Sequence, residues 1–312
     1  MRLVVNLGRA RDMTNRFEVS SFYKFFPIEP SELSVRRLSL EARAKKFEIH
    51  GLIILAPEGI NGTVSGSSDA IRFFEQSLPI LFQNSDWTFK RSFTWKQPFR
   101  DFRVKLRPEI VTTRSDAQME VTHPRNHLSP VEWQRQLESG DDFVVLDTRN
   151  EYETQLGMFQ GAIDPKIENF SDFSGSVAKL GIPKNKKVLM YCTGGIRCEK
   201  AILEMERQGY QNVFQLDGGI LNYLEQFPHS HFQGECFVFD GRVAVDQNLQ
   251  PTRKWSFCPH CGQPGKCQMN CAFCGTETVV CEACLEKEEF HTCSHDCAYK
   301  MIHHPSRLVA NY

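Results

Sequence analysis

No cysteine occurs before Cys192, and no apolar run approaches the roughly 20 residues that span a bilayer. The apolar stretch in "MRLVVNLGRARDM" is too short for a signal-peptide core, so a soluble, cytoplasmic protein with no membrane partner is expected. A charge excess is missing too. With 37 basic and 38 acidic side chains the formal net charge is -1, which excludes a global pull toward nucleic acid or anionic membrane. Any such partner must be met by a local patch. Flavin and nicotinamide fingerprints are absent, and the ten histidines offer no defensible 2-His-1-carboxylate set. Neither internal repeats nor low-complexity tracts occur.

The cysteines that are present crowd toward one end. Of the twelve, nine fall between Cys258 and Cys297, which marks a separate terminal module. A reducing thiol pool disfavours disulfides, so metal binding or thiol chemistry is the expectation. A chain of 312 residues has room for about two or three domains. Residues 1–111 read as a small α+β unit, with strand text "FEVSSFYKFF", "GLIILA", "GTVSG" and "DFRVKLRPEIV" interleaved with two helical stretches. Residues 112–128, polar and aperiodic, read as a linker.

From 129 to 230 strands and helices alternate, which predicts a parallel sheet with helices on both faces. It opens on a Ser129–Glu132 capping box before helix "SPVEWQRQLES". Residues 231–312 form the cysteine-rich module.

The stretch "YCTGGIRCEK" lies where the apolar strand "KKVLMYC" gives way to a helix, the position at which open α/β sheets hold ligands. A helix N-terminus and the nearby Arg197 both favour the Cys192 thiolate, the reactive form. Thr193, Gly194, Gly195 and Ile196 supply backbone N–H groups for an anion nest. The C-x-x-x-x-R count is one residue shorter than the loop of cysteine phosphatases and suits a persulfide sulfur better than a phosphate. Cys198, in the first helical turn, reads equally as a resolving thiol or a plain helix residue.

"DTRNEYETQLGMFQGAI", "YCTGGIRCEKA" and "QLDGGILNYLE" together resemble a rhodanese domain. The resemblance implies Cys192 as the sulfur-accepting nucleophile, Arg197 as the loop arginine, and Asp147 with Arg149 as the pair supporting the active face. Gly157-Met158 stands where many rhodaneses have Gly-His.

Adding "APEGINGTVSG", "GECFVFDGRVAV" and the cysteine-rich tail, the chain resembles the rhodanese-like tRNA uridine hydroxylase family from Phe17 to about Cys297. That family implies an acylphosphatase-like, ferredoxin-like N-terminal domain and O2-dependent 5-hydroxylation of the wobble uridine (position 34). It also implies tRNA, through its anticodon loop, as partner. The alternatives are a sulfurtransferase fed by a small sulfur donor, and a non-catalytic adaptor that binds RNA or protein.

An RNA contact has one local support. Trp87 to Arg107 carries seven basic residues against one acid, with aromatics between them, and nominates Lys90, Arg91, Lys96, Arg100 and Arg103. The competing reading is an edge strand with a basic solvent face, since Arg103, Lys105 and Arg107 alternate with Val104 and Leu106.

In the tail, Cys258/Cys261, Cys271/Cys274, Cys281/Cys284 and Cys293/Cys297 are four pairs at metal-ligand spacing, enough for two structural zinc sites. The spacing leaves open which pairs share a metal, and whether His260, His291 or His295 replaces a cysteine. Cys267 and Cys236 stand outside the pairs. Cys236 reads as a packed strand cysteine or as a neighbour of Cys192.

Overall fold

The computed structural model describes residues 16–113 and 126–303. The opening stretch to residue 15, most of the expected linker (114–125) and residues 304–312 lie outside the described residues.

Period-two patterning builds the first layer. Strand β1 (Phe17–Phe25) is followed by helix α1 (Leu33–Phe47), strands β2 (His50–Ala56) and β3 (Gly59–Gly66), helix α2 (Ser68–Phe82), and strands β4 (Lys90–Thr94) and β5 (Phe102–Leu106). The sheet order is β4-β1-β3-β2-β5, antiparallel except where β5 runs parallel to β2. Alternate residues divide between its faces. Phe22, Ile53, Leu55, Ile60 and Val64 point to α1 and α2 and form the core with Leu40, Phe74 and Leu78. Each such fully buried side chain contributes roughly 1.5–3 kcal/mol. The other face, which includes Ser21, Tyr23, Leu52, Ile54 and Thr63, carries no helix and lines a cleft instead.

The second layer begins inside the stretch assigned to the linker, because His127–Leu128 form an edge strand, β6. Helix α3 (Pro130–Glu138) starts at the expected capping box. Strand β7 (Phe143–Asp147), the short helix α4 (Glu151–Thr154), strand β8 (Gly157–Phe159) and helix α5 (Phe173–Val177) lead to strand β9 (Lys187–Tyr191). Helix α6 (Ile196–Arg207), strand β10 (Asn212–Leu216) and helix α7 (Gly219–Gln226) complete the layer.

The order β6-β10-β9-β7 is parallel throughout. One face packs Val188, Met190 and Val213 against α5 and α6. The other packs Val145, Leu189 and Tyr191 against Trp133 of α3 and Tyr223 of α7. Both faces are covered, as the alternation predicts.

Strand β11 (Phe232–Gly234) returns to pair with β8, and a hairpin of β12 (Cys236–Phe237) and β13 (Ala244–Val245) follows. Two further hairpins, β14 (Ser256–Phe257) with β15 (Pro264–Gly265) and β16 (Cys267–Asn270) with β17 (Glu277–Val280), precede helices α8 (Glu282–Leu285) and α9 (His295–His303). The two large layers are bolted together by buried charge. Lys200 of α6 reaches Glu58 at 2.9 Å and Glu109 at 2.5 Å. Arg242, paired with Asp240, donates to Ser92 Oγ of β4 at 2.7 Å.

Among the described residues no helix is long and apolar enough to cross a membrane.

Candidate active site and cysteine clusters

β9 ends at Tyr191 and α6 begins at Ile196, so Cys192 opens a four-residue turn onto a helix N-terminus. The Gly195 N–H donates to Cys192 Sγ at 3.0 Å. Burial opposes ionisation of Cys192, but a hydrogen bond from Cys198, the Arg197 charge and the Arg197 and Gly195 backbone N–H groups outweigh it. Together they bring the thiol down to about 5. Cys198, fully buried and 3.5 Å from Thr148 Oγ1, is pushed up by burial and by the neighbouring thiolate, and stays a neutral donor. At neutral pH the pair holds one negative charge, centred on Cys192.

Two glycines are required here, and one is not the expected one. Gly195 has φ 101°, and a Cβ on it would meet the Tyr23 hydroxyl at 2.9 Å. Gly219, at φ 67°, lies so close to the loop that a Cβ would strike the Cys192 carbonyl at 2.5 Å. Gly194 has open space around it.

Arg197 does not face the thiolate alone. Its guanidinium grips Glu153 with two bonds of 2.5 and 2.8 Å, both groups buried. Glu153, which Thr193 also bonds at 3.2 Å, was not nominated from the sequence. The only signal was its place as the third residue of a capping box begun by Asn150. Removing one partner of such a pair strands a buried charge. Glu153→Ala is therefore expected to destabilise the domain by about 3–5 kcal/mol, read as a drop in the urea midpoint.

Asp147 and Arg149 form the other buried pair, at 2.7 Å, and Arg149 also donates to the Gly157 carbonyl at 2.6 Å. This pair fixes β7's end against β8. Cys236 is buried on β12 near these charges, and burial pushes its thiol up to about 12.

The cleft above the loop measures about 390 Å³. Cys192, Thr193, Gly194, Ile196 and Arg197 form its floor, and the helix-free face of the N-terminal sheet forms a wall. Tyr23 donates to Glu199 Oε1 at 2.9 Å. His127 lies between Glu199 at 3.3 Å and Asp217 at 3.4 Å. Burial lowers its basicity, but hydrogen bonds to Asp217 and Glu199 more than compensate and raise it to about 9, so the ring is a cation at neutral pH. Tyr23, His127 and Glu199 escaped sequence reading because three separate segments bring them together.

The thiolate's reactivity has a direct test. Alkylation of the Cys192 peptide, followed by mass spectrometry, is expected to keep its rate from pH 8 down to about 6 and to fall through pH 5. A thiol near the ordinary 8.5 would instead slow roughly tenfold per pH unit over that range.

The basic stretch is divided by the fold. Lys90 and Arg91 lie on β4 at one edge of the sheet, Arg103 on β5 at the opposite edge, and Lys96 and Arg100 on the exposed connection. Lys90 turns into the cleft. Arg91 is held by Glu18 at 3.4 Å and by Glu75, and Arg103 by Asp101 at 2.7 Å. On β5 Val104 is buried between exposed Arg103 and Lys105, the edge-strand pattern that the sequence offered as the competing reading.

The eight paired cysteines gather into two clusters, Cys258/Cys261/Cys281/Cys284 and Cys271/Cys274/Cys293/Cys297. The pairs interleave. Sulfur separations of 3.4 Å (Cys261–Cys281), 3.6 Å (Cys274–Cys293) and 3.8 Å (Cys274–Cys297) are far beyond a disulfide bond. They match the edge of a tetrahedron built on metal–sulfur bonds of about 2.3 Å, roughly 3.8 Å. The donor set therefore fits a four-thiolate metal ion with no open position. Histidine does not enter either cluster: His260 Nε2 meets the Thr292 carbonyl at 2.8 Å, His291 Nε2 the Leu285 carbonyl at 2.7 Å, and His295 packs edge-on to His260. Cys267 sits on β16 opposite Val280, outside both.

Three family models match the chain: a UPF0176 acylphosphatase-like domain over residues 17–110, a rhodanese-like domain over 129–226, and a rhodanese C-terminal domain over 233–298. A protein of Bdellovibrio bacteriovorus named tRNA uridine(34) hydroxylase is 46% identical, over 93% of this chain and 83% of its own length. Proteins of the same name from Legionella pneumophila and Picosynechococcus are 44% and 39% identical. They cover 74% and 86% of this chain, and 91% and 90% of their own lengths. Among solved structures, the Alr3790 protein of Anabaena matches 34% of this chain and 91% of its own at 19% identity and a TM-score of 0.29. An acylphosphatase from Coxiella burnetii matches 31% and 99% at 14% identity and a TM-score of 0.24.

Proposed function

The chain belongs to the tRNA uridine(34) hydroxylase family, and from that premise we propose that it hydroxylates C5 of the wobble uridine of tRNA, with O2 as oxidant and Cys192 as the reacting thiolate. The observation that carries this reading is the Cys192 thiolate at the floor of a cleft large enough for one nucleoside. An anticodon-loop base is unpaired and can be splayed into such a cleft at little cost.

The C5–H bond becomes C5–O–H with one atom of O2. The other atom leaves as water, taking two electrons from the Cys192 thiolate and a small thiol, which end joined as a disulfide, one proton from that thiol and one from solvent. The Arg197 charge and the backbone N–H groups of Gly195 and Arg197 hold the negative sulfur, and the neutral Cys198 thiol donates to it, in the loop that Thr193, Gly194 and Ile196 complete. Asp147 and Arg149 act as supports.

The remaining assignments follow the same reading. Two zinc ions would be structural, one in each cysteine cluster. Phosphate contacts fall to the exposed Lys96 and Arg100, whereas the Arg91 charge is already held by Glu18 and Glu75 and that of Arg103 by Asp101. The division at 1–111, 112–128, 129–230 and 231–312 is kept, except that His127–Leu128 go with the parallel sheet, and the location is cytoplasmic. Sulfur transfer is the second reading, favoured by the Gly195 N–H on Cys192 Sγ, a bond that would equally cradle a persulfide.

Mass analysis of wobble nucleosides from cells lacking the protein, complemented with wild type or Cys192→Ala, separates the two. 5-Hydroxyuridine derivatives restored by wild type alone support hydroxylation. Unchanged nucleosides with robust thiosulfate-to-cyanide transfer support the second reading.

A further inference from the structure

Phe239 stands 55% exposed while lining the same cleft as Cys192. Its backbone is held on both sides: the Val238 N–H donates to the Val243 carbonyl at 2.9 Å, and Asp240 is locked to Arg242, which in turn bonds Ser92 of the N-terminal sheet. The ring lies edge-on to Phe237, centroids 5.1 Å apart, and 5.6 Å from the Arg197 guanidinium carbon. A rigidly mounted aromatic left open to water beside a nucleophile is the arrangement on which unpaired bases stack.

The lining of the same cleft adds a second, independent feature. Lys90 lines the cleft with its ammonium 5.0 Å from the Tyr23 ring centroid. Among the described residues no carboxylate lies within ion-pair distance of it. Desolvation lowers its basicity, while Asp217, Cys192 and Glu199, the charged groups that face it, oppose that loss. A lysine donates hydrogen bonds and accepts none. It therefore suits a carbonyl oxygen and repels an amino group at the same place.

We infer that this cleft is a nucleobase subsite in which the target uracil stacks on Phe239 and turns its O4 carbonyl to Lys90, which sets the ring over Cys192. The inference rests on the hydroxylase reading above and deepens it. Lys90 thereby distinguishes uracil from cytosine, whose amino group occupies the O4 position, because a site built to donate there leaves the wrong base unpaired.

The test uses the full chain with anticodon stem-loop RNAs that differ only in U or C at the wobble position. Phe239→Ala is expected to raise KM for the U loop about ten- to a hundredfold, the range for losing one base–aromatic stack. Its Cys192 alkylation profile should match wild type. Phe239→Trp should keep KM near wild type, with its indole emission quenched by the U loop. Lys90→Met should lose most of the preference for U over C in binding.

An unchanged KM in Phe239→Ala, an unquenched indole, or intact discrimination in Lys90→Met overturns the subsite. If wild type hydroxylates no tRNA, the hydroxylase reading itself falls. If wild type hydroxylates and these variants behave like it, the subsite alone falls.

Discussion

Cys192→Ala is expected to abolish 5-hydroxyuridine formation, with turnover down on the order of a thousandfold or more, the scale seen when a reacting nucleophile is removed. Three bonding features converge on this sulfur: the Gly195 N–H at 3.0 Å, the donated Cys198 hydrogen bond, and the Arg197 charge. Arg197 also bonds Glu153, which lies on α4 and outside the loop. The substitution removes a small side chain from a packed loop, so the fold should survive it. Circular dichroism and the urea midpoint are the controls, and a midpoint shift of more than about 2 kcal/mol would exceed what truncating so small a group implies. A Cys192→Ala protein that still restores wobble hydroxylation would remove the thiolate from the reaction. Cys198→Ala serves as the comparison: it takes away one hydrogen bond to the thiolate and is expected to raise the pH at which Cys192 alkylation falls, while leaving measurable turnover.

The loop was legible because its chemistry is local: a strand end, a cysteine, a turn and an arginine at fixed spacing can be read within ten residues. What supports it is not local. Glu153 lies 44 positions from Arg197 and looks, in sequence, like an ordinary helix-cap carboxylate. Gly219 is required by a loop on a neighbouring element, which no residue beside it announces. The basic stretch is divided for a topological reason. Its residues are adjacent in sequence, yet the chain leaves β4 at one edge of the sheet and re-enters as β5 at the other, so a single stripe becomes two edges and a connection. The same limit explains the tail: C-x-x-C spacing specifies each pair, whereas which pairs meet depends on how the hairpins fold back. Tyr23 was hidden by alternation itself, because period two in "VSSFYKF" marks one face as core and says nothing about what covers the other.

Metal removal is the second large effect expected. The C-terminal module has a core of little more than Val280 and the cysteines themselves, with Met269 and Phe290 packed beside them. Its two four-cysteine clusters bring sulfurs within 3.4–3.8 Å, a crowding that only a shared cation makes favourable once thiolates form. Structural zinc in small modules binds with about 10–16 kcal/mol, comparable to or larger than the roughly 5–15 kcal/mol that holds a whole domain folded. Two metal equivalents per chain are therefore expected by elemental analysis of the purified protein. Stripping them with a chelator should expose amides of residues 256–303 to hydrogen exchange while the parallel sheet stays protected. Cys281→Ala should cost one equivalent and Cys274→Ala the other, because interleaved pairing assigns these residues to different ions. In the adjacent pairing that the sequence left open, Cys274 would share its ion with Cys258 and Cys261, so Cys274→Ala would disturb the site that Cys258→Ala disturbs. The double variant Cys258→Ala/Cys274→Ala decides between them: loss of both equivalents follows from interleaving, loss of one from adjacency. A chain that folds through residue 303 without metal would overturn the structural role altogether.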